Sequence, residues 1–213
     1  MNDILDFHTH RPDAINAIIS IDPRQFDPQP GLWYSVGYHP WHEVDELTGD
    51  DFMLLERCAR HPQVLAVGET GMDSKQGADL EIQAQVFVRH LQVAAATKKP
   101  VIAHCVKTAQ RIVDERHKAA LDHVKLIVHG LRANERVAQI LLNAGCYLSY
   151  GVRYNPAALL ATPLDRLLIE TDDAPVSINE VAAAVAATLQ KTVLDITRIT
   201  AANAQRLFNL KSE

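Results

Sequence analysis

The chain contains eight short apolar runs that are rich in β-branched residues, and most of them are separated by stretches with helical periodicity. Several runs are continuously apolar rather than alternating, which is typical of parallel strands covered on the outside by helices. The predicted strands are Asp3–Phe7, Ile15–Ile21, Trp33–Val36, Val64–Val67, Val101–Ala103, Leu126–Val128, Cys146–Ser149 and Leu167–Ile169. Strands that alternate with helices in this way predict an α/β protein built on a parallel sheet.

Helical patterns fill the intervals between the later runs. One apolar stripe recurs at helical spacing through Leu80, Ala84, Phe87, Leu91 and Ala94. Asn134 is placed to cap a second helix that ends at Gly145, and Ser177 with Glu180 has the spacing of a capping box. A last helix is predicted from Asp195 to Phe208.

Eight strands with interleaved helices favour a (β/α)8 barrel of the TIM type. Such barrels typically take about 250 residues, whereas this chain has 213, so a trimmed barrel is expected. The interval around Arg11 to Asp13 is too short for a full first helix. A doubly wound sheet is the structural alternative, but its nucleotide-binding versions need a Gly-rich first turn that this sequence lacks. The 47% hydrophobic content suffices for one core, so residues 1–213 are expected to form a single domain.

Charge and cysteine usage restrict the partners and the compartment. The net charge is −5, with the acidic residues spread along the chain, so bulk electrostatics would not recruit long duplex DNA, whose binding proteins usually present a basic face. Cys58, Cys105 and Cys146 show no CxxC spacing, which argues against a disulfide framework and favours a reducing cytoplasm. The sequence shows no signal-peptide pattern and no apolar run near the roughly 18 residues of a membrane span. We therefore expect a cytoplasmic protein that needs neither a membrane nor an obligate protein partner.

Five of the predicted strands end at residue types that bind metals. The residues at these ends are His8, His10, Glu69, His104, His129 and Asp172. Alternate residues of a strand point the same way, so His8 and His10 can reach one ion together. A polar residue that merely marks a strand exit would explain any one of these positions. Because the carboxyl ends of barrel strands form the active-site rim, five such ends together favour a metal site.

Five motifs follow one another along the chain: Asp6-Phe7-His8-Thr9-His10, Gly37-Tyr38-His39-Pro40, Gly68-Glu69-Thr70-Gly71-Met72-Asp73, Pro100-Val101-Ile102-Ala103-His104 and Glu170-Thr171-Asp172. Together with a late segment from Thr200 to Phe208, they resemble the TatD family of metal-dependent deoxyribonucleases. The third motif is the most specific. Its glutamate also argues against related amidohydrolases, which place a modified lysine on the fourth strand.

The resemblance implies a centre with two divalent ions. One ion would be held by His8, His10 and Asp172, the other by His104 and His129, and Glu69 would bridge them. Mixed histidine and carboxylate ligands suit zinc, manganese or magnesium. Water on such an ion loses its proton near neutral pH and attacks phosphorus, while the second ion stabilises charge on the leaving side. Asp172 could orient that water or accept its proton, which makes Asp172 and Glu69 the expected catalytic residues.

Other polar residues also lie near the predicted rim. His39 is expected to contact a substrate phosphate, with hydrogen bonding inside its loop as the alternative, and His42 is expected to support that loop. Asp73 can orient a ligand or cap a turn, and Cys105 should point away from the rim as a packing residue. Four histidines on or near helical segments are interpreted as ordinary surface residues: His61, His90, His117 and His123.

Three departures from the family pattern limit how far the family's function can be transferred to this chain. Val106 stands where the family usually has an arginine, and the neighbouring Lys107, a candidate substrate contact, lacks the bidentate fork of arginine. Asp172-Asp173-Ala174-Pro175 holds one aspartate more than the usual Asp-Ala-Pro, and we prefer Asp172 to Asp173 as the ligand. The loop with an Arg-Asn-Pro element is missing, since Ser177 already begins a helix.

The leading functional prediction is a phosphoester hydrolase that acts on DNA, an oligonucleotide or another phosphoester. The alternative is a small-molecule amide or ester hydrolase on the same site, because the same hydroxide can attack a carbonyl; the charge of −5 and Val106 keep this alternative open. A third class is a non-catalytic metal-binding protein. A purely structural site rarely needs so many open ligands at a rim, which disfavours this class.

Overall fold

Eight parallel strands form one sheet in which their spatial order follows their order along the chain. The computed structural model describes residues 5–208. The strands are β1 (Asp6–Thr9), β2 (Ala17–Ile21), β3 (Trp33–Val36), β4 (Val64–Asp73), β5 (Val101–Val106), β6 (Leu126–Val128), β7 (Tyr147–Tyr150) and β8 (Leu167–Ile169). A parallel bridge between Thr9 and Asp172 brings the chain after β8 against β1. The sheet is therefore a nearly closed barrel, which confirms the predicted (β/α)8 fold.

Seven α-helices within residues 5–208 follow the later strands. They are α1 (Gly49–Ala59), α2 (Leu80–Thr97), α3 (Ala109–Lys118), α4 (Glu135–Asn143), α5 (Pro156–Leu160), α6 (Ile178–Leu189) and α7 (Val193–Phe208). Residues 10–16 contain no helix, and only a 3-10 turn, Pro23–Gln25, lies between β2 and β3. The barrel is thus trimmed on the side of its first strands, as the short interval after β1 predicted. Among these described helices, none has both the length and the apolar character needed to cross a bilayer.

The predicted helix caps are present. The Asn134 side chain accepts the N–H of Val137, and Ser177 and Glu180 form both bonds of a capping box. The last helix begins at Val193, two residues before its predicted start. Thr192 and Asp195 bond to each other's backbone N–H groups, so this reciprocal cap sets the helix start.

Strand β4 differs most from its predicted bounds. It was expected to end at Val67, but it continues to Asp73 and pairs Thr70–Asp73 with the last four residues of β5. The register shifts between Val67 and Thr70, so Glu69 lies in an irregularity within the strand and not behind its end. Strand β2 begins later than predicted, because Asn16 has a positive φ of 56° and Ile15 is exposed. Asp3, the predicted start of β1, lies outside the described residues.

His90 is wholly buried, so its interpretation as a surface residue was wrong. It follows Phe87 by three residues and precedes Ala94 by four, which places it on the apolar face of α2. Its Nδ1 donates to the carbonyl of Val86 at 2.8 Å, and its Nε2 accepts the backbone N–H of Tyr38 at 3.0 Å. His117 and His123 are exposed as expected, and His61 is half-buried.

We expect His90 to make stability depend on pH. Burial lowers the pKa of His90 from its ordinary 6.5 to about 4. The unfolded chain therefore takes up a proton first as the pH falls, and the free energy of unfolding should drop by about 3 kcal/mol between about pH 6.5 and about pH 4. Urea unfolding of wild type and His90→Gln at several pH values measures this contribution. Equal pH slopes for the two proteins would contradict it.

Candidate metal centre

Glu69 lies at the middle of the barrel mouth, almost completely buried, with histidines on both sides of its carboxylate. Its Oε2 is 3.1 Å from Nε2 of His8 and 3.3 Å from Nε2 of His10. The Oδ1 atom of Asp172 is 3.7 Å and 3.6 Å from the same two nitrogens. Two imidazoles and two carboxylates thus face one point on this side.

The other oxygen of Glu69 faces three further histidines. Its Oε1 is 3.0 Å from Nε2 of His39, 3.1 Å from Nδ1 of His104 and 2.7 Å from Nε2 of His129. The two nitrogens of His104 and His129 that face the carboxylate are 3.4 Å apart. One carboxylate therefore separates two clusters of nitrogen ligands.

Asp172 is held in place by β1. Its N–H donates to the carbonyl of His8 at 2.9 Å, and its own carbonyl accepts the N–H of His10 at 3.3 Å. The residue has a positive φ of 54°, which turns the chain at the strand end. Asp173 is exposed. Of the two consecutive aspartates, Asp172 and not Asp173 therefore lies beside the histidines of β1.

Asp6 supports the position of Asp172 through Thr171 and was not predicted as a site residue. Its two oxygens accept the N–H and the hydroxyl of Thr171 at 2.9 and 2.6 Å. Burial raises the pKa of Asp6 to about 6. A sequence signal existed: Asp6 precedes His8 by two residues, so alternation places its side chain on the same side of β1. Its bonds fix the residue next to Asp172.

His104 and His129 are each oriented by a buried carboxylate. His104 Nε2 lies 3.2 Å from Oδ2 of Asp73, and His129 Nδ1 lies 3.3 Å from Oε1 of Glu170. When these nitrogens donate, the lone pairs of His104 Nδ1 and His129 Nε2 both point to Glu69. Acceptors that face one another require a cation between them, and hydrogen-bonded histidines of this kind are typical of metal sites.

Buried atoms without partners give a direct test of whether the residues fit a metal. Among the described residues, His8 Nε2 and Glu69 Oε2 are buried and form no hydrogen bond. Buried polar atoms are nearly always paired, so both need a partner that the protein does not supply. Two ligands about 2.1 Å from one ion lie at most about 4.2 Å apart, and the 3.1 Å between these atoms meets that limit. The donor set of imidazoles and carboxylates therefore fits divalent metals.

The charges of the site are strongly coupled. Burial opposes ionisation of Glu69, but His129 and His8 lower its pKa well below the ordinary value, so the carboxylate stays ionised. Burial likewise opposes a charge on His129, yet Glu69 and Glu170 raise its pKa well above the ordinary value. Each partner thus favours the charged form of the other, and a cation that displaced the proton of His129 would meet the same two carboxylates.

Comparison with known proteins identifies the family. Residues 24–209 match the family model described as TatD related DNase. The chain belongs to the TatD family. It is thus a metal-dependent hydrolase, like YabD of Bacillus subtilis, an uncharacterised metal-dependent hydrolase that is 27% identical over 94% of this chain and 84% of YabD. The human 3′-5′ RNA nuclease TATDN2 is 29% identical over 66% of this chain and 20% of TATDN2.

Solved structures support the TatD fold. YJJV, a TatD homologue from Escherichia coli, has a TM-score of 0.82 at 20% identity, and the match covers 97% of both chains. A TatD-family hydrolase from Entamoeba histolytica has a TM-score of 0.73 at 17% identity over 90% of this chain and 84% of that one. At these identities the likeness concerns the barrel alone.

The structure brings the predicted TatD ligand set together. All six residues surround one point of the barrel mouth: His8, His10, Glu69, His104, His129 and Asp172. Within residues 5–208, the groups with metal-ligand geometry include His8 with His10 and Asp172, and His8 with Glu69 and His129. His39 joins a further group with Glu69 and His104, and its contact with substrate stays a prediction. Binding of metal by these residues stays a prediction.

The remaining predicted site residues lie at the edge of the site or away from it. Lys107 is exposed in the turn between β5 and α3, and its contact with substrate stays a prediction. His42 donates its backbone N–H to the carbonyl of His39, which agrees with a supporting role in the loop. Asp73 serves both purposes that the sequence left open, because it contacts His104 and also accepts the N–H of Lys75. Cys105 is half-buried against the core, which confirms it as a packing residue.

A cleft of about 680 Å³ opens beside the TatD site. Glu69, His39 and Trp41 are among the residues that line it. The chain after β2 also contributes to the lining, through Asp22 and Asp27. The site residues therefore face a space large enough for a small organic ligand, since ligand clefts commonly measure roughly 300–1,000 Å³.

Proposed function

We propose that the protein is a phosphodiesterase that hydrolyses DNA or an oligonucleotide at a centre with two divalent metal ions. The observation that carries this proposal is the position of Glu69, whose two oxygens face separate clusters of histidines. A carboxylate in this position can bridge two ions, and paired ions are suited to displacement at phosphorus.

The ligands of each proposed ion follow from the side of Glu69 on which they lie. His8, His10 and Asp172 would hold one ion, and His104 and His129 the other. Bound zinc, manganese or magnesium would supply an activated water and neutralise charge on the leaving oxygen. Asp173 takes no part in this scheme.

The chain's own groups then orient the reactants and move the proton. Asp172 is partly accessible, and its Oδ1 faces the histidines of β1, so it can accept a proton from the attacking water. Asp73 and Glu170 keep His104 and His129 in the orientation that leaves a lone pair for the ion. His39, beside Oε1 of Glu69, is placed to contact a phosphate oxygen.

One relative and one solved structure of the same fold support phosphorus as the reacting atom. TATDN2 is named as a 3′-5′ RNA nuclease. The phosphotriesterase homology protein of Escherichia coli shares the fold with a TM-score of 0.64 at 12% identity, covering 84% of this chain and 74% of that one, and was solved with phosphate in its active site. Val106 and the exposed Lys107 supply no bidentate grip on a phosphate. A short or single-stranded substrate therefore suits the site better than a long duplex.

A second candidate function is the hydrolysis of amide or ester bonds in a small molecule. Among the described residues that line the cleft, none is lysine or arginine, and Asp22 and Asp27 add negative charge. An uncharged substrate would meet less repulsion there than a polyanion. The same activated water can attack a carbonyl.

We expect metal-dependent cleavage of phosphodiesters. Protein stripped with a chelator and reloaded with zinc, manganese or magnesium should bind about two ions per chain and hydrolyse single-stranded DNA and bis(p-nitrophenyl) phosphate. Stripped protein should be inactive. Elemental analysis gives the stoichiometry, and a dipeptide and a lactone are assayed in parallel. If two ions bind but only the dipeptide or the lactone is cleaved, the second candidate replaces the first.

A further inference from the structure

We propose that Trp41 is a stacking platform for a nucleobase next to the scissile phosphoester, and that the cleft beside Trp41 receives this uncharged part of the substrate. The inference rests on the proposed function for the bond that is cleaved. The inference adds that the enzyme also recognises the base next to the phosphorus atom.

Trp41 presents an apolar ring next to the reacting centre. Its ring centroid is 4.8 Å from that of His39 and 5.2 Å from that of His104, both of which contact Glu69. The side chain is nevertheless 44% exposed and lines the cleft. A tryptophan that only packed against the histidines would be buried by its neighbours. The Trp41 side chain instead stays partly exposed in the cleft.

The ring is also held rigidly. The indole Nε1–H donates to Oδ2 of Asp73 at 2.8 Å. Asp73 is buried, and its other oxygen accepts the N–H of Lys75 at 2.7 Å. An aromatic side chain fixed before binding loses little entropy when a ligand stacks on it. The same carboxylate contacts His104, so the platform and the metal centre share one support.

The lining of the cleft indicates what stacks on Trp41. The described lining residues include no lysine or arginine, and Asp22 and Asp27 disfavour a further phosphate. The Gln25 amide can pair with the edge of a base, and so can Oε1 of Gln29, whose Nε2 already donates to Asp27. A planar, uncharged and hydrogen-bonding ring meets these conditions, and every base has a face that stacks on an aromatic side chain.

The first test measures binding in metal-free protein and so does not depend on catalysis. Adenosine should quench the tryptophan fluorescence excited at the red edge, whereas 2-deoxyribose 5-phosphate, which has a phosphate but no base, should not. Trp41→Leu should lose the quenching. Trp33→Phe is the matched control and should keep it, because Trp33 lies in β3 and packs against the core. Absence of quenching in wild type, or its persistence in Trp41→Leu, overturns the inference.

The second test uses metal-loaded enzyme and compares a dinucleotide with the same dinucleotide lacking the base beside the scissile bond. Wild type should prefer the intact dinucleotide in kcat/KM by roughly tenfold or more. Trp41→Phe, which keeps a ring but no N–H, should retain most of this preference, and Trp41→Leu should abolish it. Equal losses on both substrates in both variants would instead assign Trp41 a purely supporting role through Asp73 and overturn the platform.

The two tests separate this inference from the proposed function. If adenosine quenches the fluorescence of Trp41 but neither dinucleotide is cleaved, phosphodiester hydrolysis fails and the platform stands. If both dinucleotides are cleaved equally well and adenosine has no effect, hydrolysis stands and the platform fails.

Discussion

Replacing Glu69 with glutamine is expected to lower kcat/KM of the metal-loaded enzyme by roughly a thousandfold or more. Catalytic metals contribute several kcal/mol to the transition state, and about 1.4 kcal/mol corresponds to a factor of ten. Glutamine keeps the shape of the side chain but removes the charge that faces His8 on one side and His129 on the other. The loss should appear in kcat, since the proposed ions act on the transition state.

The same substitution should weaken both metal sites, which distinguishes a bridging residue from a ligand of one ion. Elemental analysis of Glu69→Gln should show well under two ions per chain, whereas His10→Ala, on one side of the carboxylate, should lose one ion in preference to the other. Glu170→Gln provides a graded comparison. Glu170 is wholly buried and orients His129 through its Oε1, so its loss should cost about 10–100-fold in metal affinity.

Glu135→Gln is the matched control. Glu135 is exposed in the first turn of α4, and its charge serves the helix rather than the site. Activity and metal content should stay at the wild-type level. If Glu69→Gln retained two ions and more than about a tenth of the activity, bridging by Glu69 would be wrong.

Strand-end residues were predictable from sequence because the carboxyl ends of all strands in a parallel barrel lie at the same rim. An apolar run that stops at His104 or His129 needs no knowledge of its neighbours, since every such end meets the same rim. Alternation on β1 likewise placed His8 and His10 on one side. The predicted ligand set therefore came together in the structure without any contact having been predicted individually.

The supporting residues were harder to predict because their partners are distant in the sequence. Trp41 reaches Asp73 across 32 residues, and His90 reaches the backbone of Tyr38 across 52. Neither contact follows from local periodicity. His90 was placed on the surface because its residue type outweighed its position on the apolar face of α2. The extension of β4 was missed because glycine in a strand interior weakens the strand, whereas here a glycine-containing segment continues the pairing with β5.

That glycine-containing segment carries the largest expected effect on stability. Gly71→Ala should lower the free energy of unfolding by roughly 4 kcal/mol, with about 1–3 kcal/mol from backbone strain and about 1–3 kcal/mol from overpacking. Gly71 has a positive φ of 132°, and an added Cβ would overlap the backbone of His104, with its nitrogen at 2.9 Å. Since small domains are stable by only about 5–15 kcal/mol, the variant would retain little margin.

Two other glycines separate the contributions of strain and overlap. Gly145 has a positive φ of 78° but open space around its Cβ position, so Gly145→Ala should cost only the backbone strain of about 1–2 kcal/mol. Gly49, the first residue of α1, also has open space, and no positive φ opposes a side chain there. Gly49→Ala should be neutral or stabilising by up to about 1 kcal/mol.

Urea unfolding of the three variants without metal measures these differences free of any change in metal binding. The order Gly71→Ala, then Gly145→Ala, then Gly49→Ala is expected for the loss of stability. A cost at Gly71 no larger than that at Gly145 would mean that β4 can move away from His104. In that case Glu69, two residues from Gly71, would not be held rigidly enough by this strand to keep its two oxygens facing separate clusters, since a preorganised site depends on a packed supporting backbone.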